Sequence, residues 1–150
     1  IDLNLLIDRG REVVPDLSRA EAREWANRLT DWLSAEEVRT KLGKATYPPG
    51  SEVLTETPFV FRMADSLVTG RIDRLVLIRN GHVLSELEVL DYKTDALPSA
   101  NPGAIQETVE RYREQMKIYR AAASELYEVS PERVKGWLVL LSCGRVVSAP

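Results

Sequence analysis

The chain has 150 residues, 44% of them hydrophobic, and a formal net charge of −3 from 20 basic and 23 acidic side chains. That length supports one domain with a real core and is too short for two comfortable ones. The charge excludes a protein that depends on non-specific attraction to phosphate, since that affinity comes from clustered Lys and Arg releasing counterions, so any nucleic-acid contact must be local. The one cysteine, Cys143, sits in an apolar run that reads as strand. It excludes an internal disulfide framework or a thiolate metal site, and a reducing cytoplasm is the expected compartment. No apolar run is long enough to span a bilayer, and acids stand where a signal peptide would carry basic residues, so no membrane partner is expected.

The first residue is Ile1 rather than Met, which points to a piece of something larger. Residues 1–17 carry Leu3, Leu5, Leu6 and Ile7, then Gly10 and Pro15, and read as a frayed helix or an extended arm. Ser18 with Glu21 forms a capping box, opening a helix with Ala22, Trp25, Ala26, Leu29, Trp32 and Leu33 on one face. These tryptophans are expected in the core; a base-stacking platform is the competing reading. Ser34 with Glu37 repeats the cap signature and predicts a second short helix to about Gly43. Tyr47, Pro48, Pro49 and Gly50 end this helical lead-in.

A strand follows over about 52–63, and Pro58 within it marks a sheet edge or a bulge. Two more strands, about 67–79 and 82–93, flank the hairpin signal Asn80-Gly81. A two-residue loop at Asn80-Gly81 would place Asp73 opposite Glu88 and set Asp73 and Asp91 on opposite faces. An odd offset instead aligns Asp73, Leu75 and Leu77 with Asp91, Val89 and Leu87, and gathers Arg74, Glu86 and Glu88 on the other face. Apolar and charged patterns both favour that shift, which a three-residue loop or a bulge would supply. The hairpin is therefore predicted not to be a plain two-residue turn. Residues 95–103 read as a loop. A helix over about 104–127 places Ile105, Tyr112, Met116, Tyr119, Ala123 and Leu126 on one stripe with Gln115 at its border. Ser130 to Arg133 reads as a turn, and about 136–147 as a last strand parallel to the third, because its connection crosses over through a helix. The fold class is α/β: a mixed sheet, three antiparallel strands plus a parallel one, flanked by helices.

The strand through Glu88-Val89-Leu90-Asp91-Tyr92-Lys93-Thr94-Asp95 carries Leu87, Val89, Asp91 and Lys93 on one face. Desolvating an acid and a lysine there costs several kcal/mol per ion unless they are paired or hold metal. A solvated strand end with a weak surface pair is the bland reading. The ordered set Gly70-Arg71-Ile72-Asp73, then Asp91-Tyr92-Lys93-Thr94-Asp95, then Gln115 with Tyr119 resembles the RecB/AddA-type nuclease domain of the PD-(D/E)xK superfamily. The resemblance covers about residues 52–145, and Glu56-Thr57-Pro58-Phe59 matches the E-x-P-F entry of the same group.

The resemblance implies a restriction-endonuclease-like core in a single domain, with residues 1–50 as helical lead-in and 51–150 as catalytic core. It implies a Mg²⁺- or Mn²⁺-dependent exonuclease acting on DNA in break repair and recombination, with Asp73, Asp91 and the Tyr92 backbone carbonyl as metal ligands and Lys93 as base or electrostatic partner. Gln115 and Tyr119 would stand beside the site; otherwise Gln115 bonds nearby backbone and Tyr119 is ordinary core. Glu56 is either a third carboxylate near the metal or an arginine's partner. Arg113, Lys117 and Arg120 either track phosphates or form a solvated helix face. An iron–sulfur cluster is excluded, since it needs four cysteines. No G-x-x-x-x-G-K-[ST] loop is present, so the helicase portion such proteins carry is expected outside this segment. Relatives of this type also carry a metal-binding histidine on a helix before the first strand, whereas the only histidine here, His82, falls at the hairpin. Either that helix lies upstream of Ile1, or this copy lacks it and is a non-catalytic module for binding DNA or protein.

Overall fold

The computed structural model describes residues 2–95 and 101–150. Three helices lead in: α1 (Leu3–Val13), α2 (Arg19–Ser34) and α3 (Glu36–Leu42). Of the two readings for residues 1–17, helix is the one adopted, with Asp2 accepting from the amides of Asn4 and Leu5 at its start. The Ser18 and Glu21 capping box is formed in both directions. Ser34 is not the second cap: its hydroxyl donates back to the Thr30 carbonyl, and Ala35 starts α3 without a side-chain bond. Glu37 reaches instead to the Val146 amide and to Arg145.

Five strands follow, β1 (Glu52–Met63), β2 (Ser66–Asn80), β3 (Val83–Lys93), β4 (Val134–Leu140) and β5 (Arg145–Ser148), in that spatial order. The β3 and β4 pair is parallel and the other three are antiparallel. The connection between β3 and β4 runs through α4 (Pro102–Leu126), which Asn101 caps through its bond from the Ala104 amide. The expected loop 95–103 falls largely on residues 96–100, outside the described residues, and its last two residues already belong to the helix. The single last strand expected over 136–147 is two strands: a tight turn at Leu141–Cys143 and a left-handed Gly144 (φ 67) fold β5 back on β4, so Cys143 lies in a turn.

The register has the expected odd offset. Arg74 pairs with Leu90, Leu75 with Val89 and Leu77 with Leu87, so the next step sets Asp73 opposite Asp91. The loop itself is a two-residue one, Gly81-His82, because Asn80 pairs with Val83. The shift comes from a bulge at Ser85, where Ile78 pairs with Glu86 but Arg79 with Leu84. A bulge leaves backbone groups off the ladder, and they need partners. Arg133 takes the carbonyls of Leu84 (2.7 Å) and Ser85 (2.6 Å), and the Ser85 hydroxyl donates to the Ile78 carbonyl.

One sheet face packs under α4, with Leu75, Leu77, Leu87, Val89, Leu138 and Leu140 buried against Val109, Met116 and Ala123. Each such aliphatic side chain contributes about 1.5–3 kcal/mol on burial. Gly136 lets α4 cross closely, since a Cβ there would meet Ala149 O at 2.6 Å and Met116 Cγ at 2.8 Å. Gly70 likewise leaves room for the Phe59 ring, whose edge meets Tyr119 at 5.5 Å. The other face, with Val76, Leu90 and Val139, is covered by Val38 of α3 and by Trp32, Leu33 and Tyr47. α1 and α2 share a small cluster of Ile7, Ala22 and Ala26. Two expected core side chains are not there: Trp25 is 54% exposed and Leu126 52%. Among the described residues no helix is long and apolar enough to cross a membrane.

Candidate active site

β2 changes face just where its acid falls. Ile72 and Leu75 are both buried in the core under α4, although three residues apart they should point to opposite sides. On β1 the flanking pairs Thr55 with Arg74 and Thr57 with Ile72 leave Glu56 opposite Asp73 without a ladder pair, and Glu56 has φ 51. Released from regular pairing, Asp73 turns toward β3, and its Oδ2 accepts the Tyr92 amide at 2.8 Å.

Asp91 stands across the ladder, 3% exposed at the carboxyl end of β3. Lys93, two residues on and so on the same face, brings its ammonium to 2.5 Å from Asp91 Oδ2. The angle of that contact is not that of a hydrogen bond, so Oδ2 is a buried oxygen without one. Burial pushes the Asp91 carboxyl above its ordinary range; the Lys93 ammonium opposes the shift and Asp73 adds to it.

α4 supplies the other wall. Lys93 Nζ donates to Gln115 Oε1 at 3.2 Å. The Gln115 amide donates to Tyr119 Oη at 2.9 Å and toward Asp91 Oδ1 at 3.4 Å. Both Gln115 and Tyr119 are thus brought to the acid and the lysine, and Gln115 does not spend its amide on backbone. Tyr112, placed by its sequence period in the apolar stripe, has a second part that the period did not disclose. Its ring lies 3.9 Å from Lys93 Nζ, and its hydroxyl donates to Asp95 Oδ2 at 2.5 Å, a bond that raises the phenol's pKa. The available signal was its position one helical turn before Gln115.

Other expected side chains lie elsewhere. Glu56 is exposed and faces Arg71 at 3.4 Å. Arg113 and Lys117 pair along the helix with Glu110 and Glu114. Arg120 is turned inward, donating to the Val134 carbonyl at 2.9 Å, and is not on a solvated face. His82 is in the exposed hairpin loop. A recess of about 700 Å³ opens on the opposite sheet face around Lys41, Tyr47, Glu88 and Trp137, and includes none of the residues around Asp91.

Among the described residues no group of three or more His, Cys, Asp and Glu is positioned for metal. The Asp73 and Asp91 carboxylates nevertheless offer oxygen only, one atom of it buried and unbonded. That chemistry fits a hard cation such as Mg²⁺, which takes one or two carboxylates and keeps several waters.

A mixed sheet with one parallel pair, helices on both sides and acids at the end of two adjoining strands defines a nuclease-type α/β core. The chain belongs to the PD-(D/E)XK nuclease superfamily, whose sequence profile matches residues 3–148. It is 39% identical over 83 residues, 55% of this chain and 6% of the relative, to an ATP-dependent helicase/nuclease subunit of Enterococcus faecalis. The subunit of the same name from Streptococcus mutans is 36% identical over 108 residues, 68% of this chain and 8% of the relative. That from Streptococcus equi subsp. zooepidemicus is 29% identical over 141 residues, 90% of this chain and 10% of the relative. The chain therefore spans a tenth or less of the length of these relatives.

Proposed function

We propose that this chain is the DNA-cleaving domain of a longer ATP-dependent helicase-nuclease, a divalent-metal-dependent exonuclease of break repair and recombination working in the cytoplasm. Its residues 1–50 serve as lead-in and 51–150 as catalytic core of one domain, and its partners are DNA and the helicase portion of the parent. The observation that carries this reading is the opposition of Asp73 and Asp91 across one ladder with Lys93 on the Asp91 face, in a chain of a nuclease superfamily.

In this reading the Asp73 and Asp91 carboxylates and the Tyr92 carbonyl hold Mg²⁺ or Mn²⁺. When bound, such an ion acidifies water and stabilises charge on the phosphate. Lys93 orients the attacking water or neutralises the charge that accumulates on the phosphoryl oxygens. Gln115 holds Lys93 through Oε1 and Asp91 through its amide, and Tyr119 fixes the orientation of that amide. Arg113 and Lys117 lie in exposed pairs worth about 0–1 kcal/mol each, weak enough to be exchanged for phosphate.

The test is magnesium-dependent cleavage of linear DNA by the full-length parent. Asp91→Ala is expected to abolish it, and Lys93→Ala to lower the rate by about 10²–10³, the usual cost of losing one preorganised charge-stabilising group. A non-catalytic binding module is the second reading, and the observation favouring it is that no third ligand stands with Asp73 and Asp91 among the described residues. DNA binding without cleavage in the parent and in every variant would establish it.

A further inference from the structure

A helix that buries alanines and exposes a tryptophan departs from ordinary amphipathic packing. In α2, Ala22 and Ala26 face α1, whereas Trp25 between them is 54% exposed. The Arg28 guanidinium lies over its ring, 4.8 Å from the centroid, and is steadied by Glu24 at 3.6 Å. These two side chains border a recess of about 320 Å³ completed by Trp32, Thr94 and Ser142. Thr94 directly follows Lys93, and the Ser142 hydroxyl donates to the Asp95 carbonyl at 2.5 Å. The recess therefore adjoins the end of β3 that carries Asp91 and Lys93.

From this geometry we infer that the Trp25 recess is a subsite for one nucleobase of an unpaired DNA strand, with Arg28 on the adjoining phosphate. The inference rests on the nuclease reading and specifies its substrate: a single strand rather than a duplex. An exposed indole offers a stacking face, a neighbouring guanidinium offers charge for phosphate, and the strand leaving the recess is one residue from Lys93. Bases in a duplex are already stacked on one another and cannot enter. Stacking tolerates any base, so the subsite is blind to sequence. With a chain charge of −3, and with Arg28 the only cation lining the recess among the described residues, the affinity comes from stacking, and its dependence on salt is shallow, about one phosphate's worth.

The experiment uses the full-length parent in chelator, so that nothing is cut, with an eight-nucleotide oligothymidylate as probe and a blunt duplex as control. Fluorescence anisotropy reads affinity, tryptophan emission reads stacking, and circular dichroism confirms folding. Trp25→Ala is expected to weaken single-strand binding about tenfold or more, Trp25→Phe to retain it within about threefold, and duplex binding to be unchanged, because one base–aromatic stack supplies that much. An abasic site at the responsive position should reproduce the Trp25→Ala loss and add nothing to it. Unchanged single-strand affinity in Trp25→Ala overturns the inference. So does an equal loss for duplex, or an indole that acrylamide cannot quench because another part of the parent covers it. Failure of the nuclease reading is separate: a parent that cuts no DNA with magnesium yet binds single strands through Trp25 keeps the subsite and loses the catalysis.

Discussion

Removing the cation from a buried ion pair strands the acid, and the network on the sheet face opposite Asp91 is built for that test. Glu88 is 5% exposed, and its carboxylate accepts Lys41 Nζ at 2.7 Å, Tyr47 Oη at 2.9 Å and Trp137 Nε1 at 3.1 Å. The Lys41 ammonium also lies 3.8 Å from the Trp137 ring centroid. Lys41→Ala leaves two neutral donors on a buried charge and is expected to destabilise by about 3–5 kcal/mol. At about 2–4 °C per kcal/mol for a domain of this size, the midpoint falls by roughly 6–20 °C in calorimetry. The paired change Lys41→Met with Glu88→Leu removes both charges and should recover most of that loss. A Lys41→Ala loss below about 1 kcal/mol, or a double variant no better than the single, would refute the view that α3 is held to the sheet by this charge pair.

Arg133→Ala should cost about 1–3 kcal/mol in urea unfolding, because the carbonyls of Leu84 and Ser85 at the bulge lose their donor. Gly136→Val should destabilise by about 1–3 kcal/mol or more, since its Cβ would enter the space of Met116 and the Ala149 carbonyl. Asp91 gives a pH prediction for the metal-free protein. Its raised folded pKa means the folded state holds more protons than the unfolded one between the ordinary carboxylate range and that raised value, so stability falls as pH rises through this window. Asp91→Asn should flatten that part of a Tm-against-pH curve, and an unchanged slope would contradict the assignment.

The register that joins Asp73 to Asp91 was legible because two independent patterns, apolar and charged, agreed on an odd offset. Its source was not, since the bulge at Ser85 is held by Arg133, 48 residues away, and no local signal announces such a partner. The same holds for Glu88, which the alternation grouped with Arg74 but which takes its charge partner from α3. Trp25 was misplaced because helical period assigns a face without saying what lies opposite; α1 meets Ala22 and Ala26 and stops short of the indole. Leu126 sits in the last residue of α4, where the stripe continues in sequence but its side chain is left half exposed. Gly144 was the one visible warning that the last apolar run folds back, and a left-handed glycine is how it does so.

Manganese soaked into crystals of the protein and located by anomalous scattering asks whether the two facing acids share one ion. The expected result is a peak touching the carboxylates of both Asp73 and Asp91, lost in Asp91→Asn. No peak there at millimolar manganese in a protein that still cuts DNA, or a peak that touches neither acid, would contradict a shared ion at this ladder.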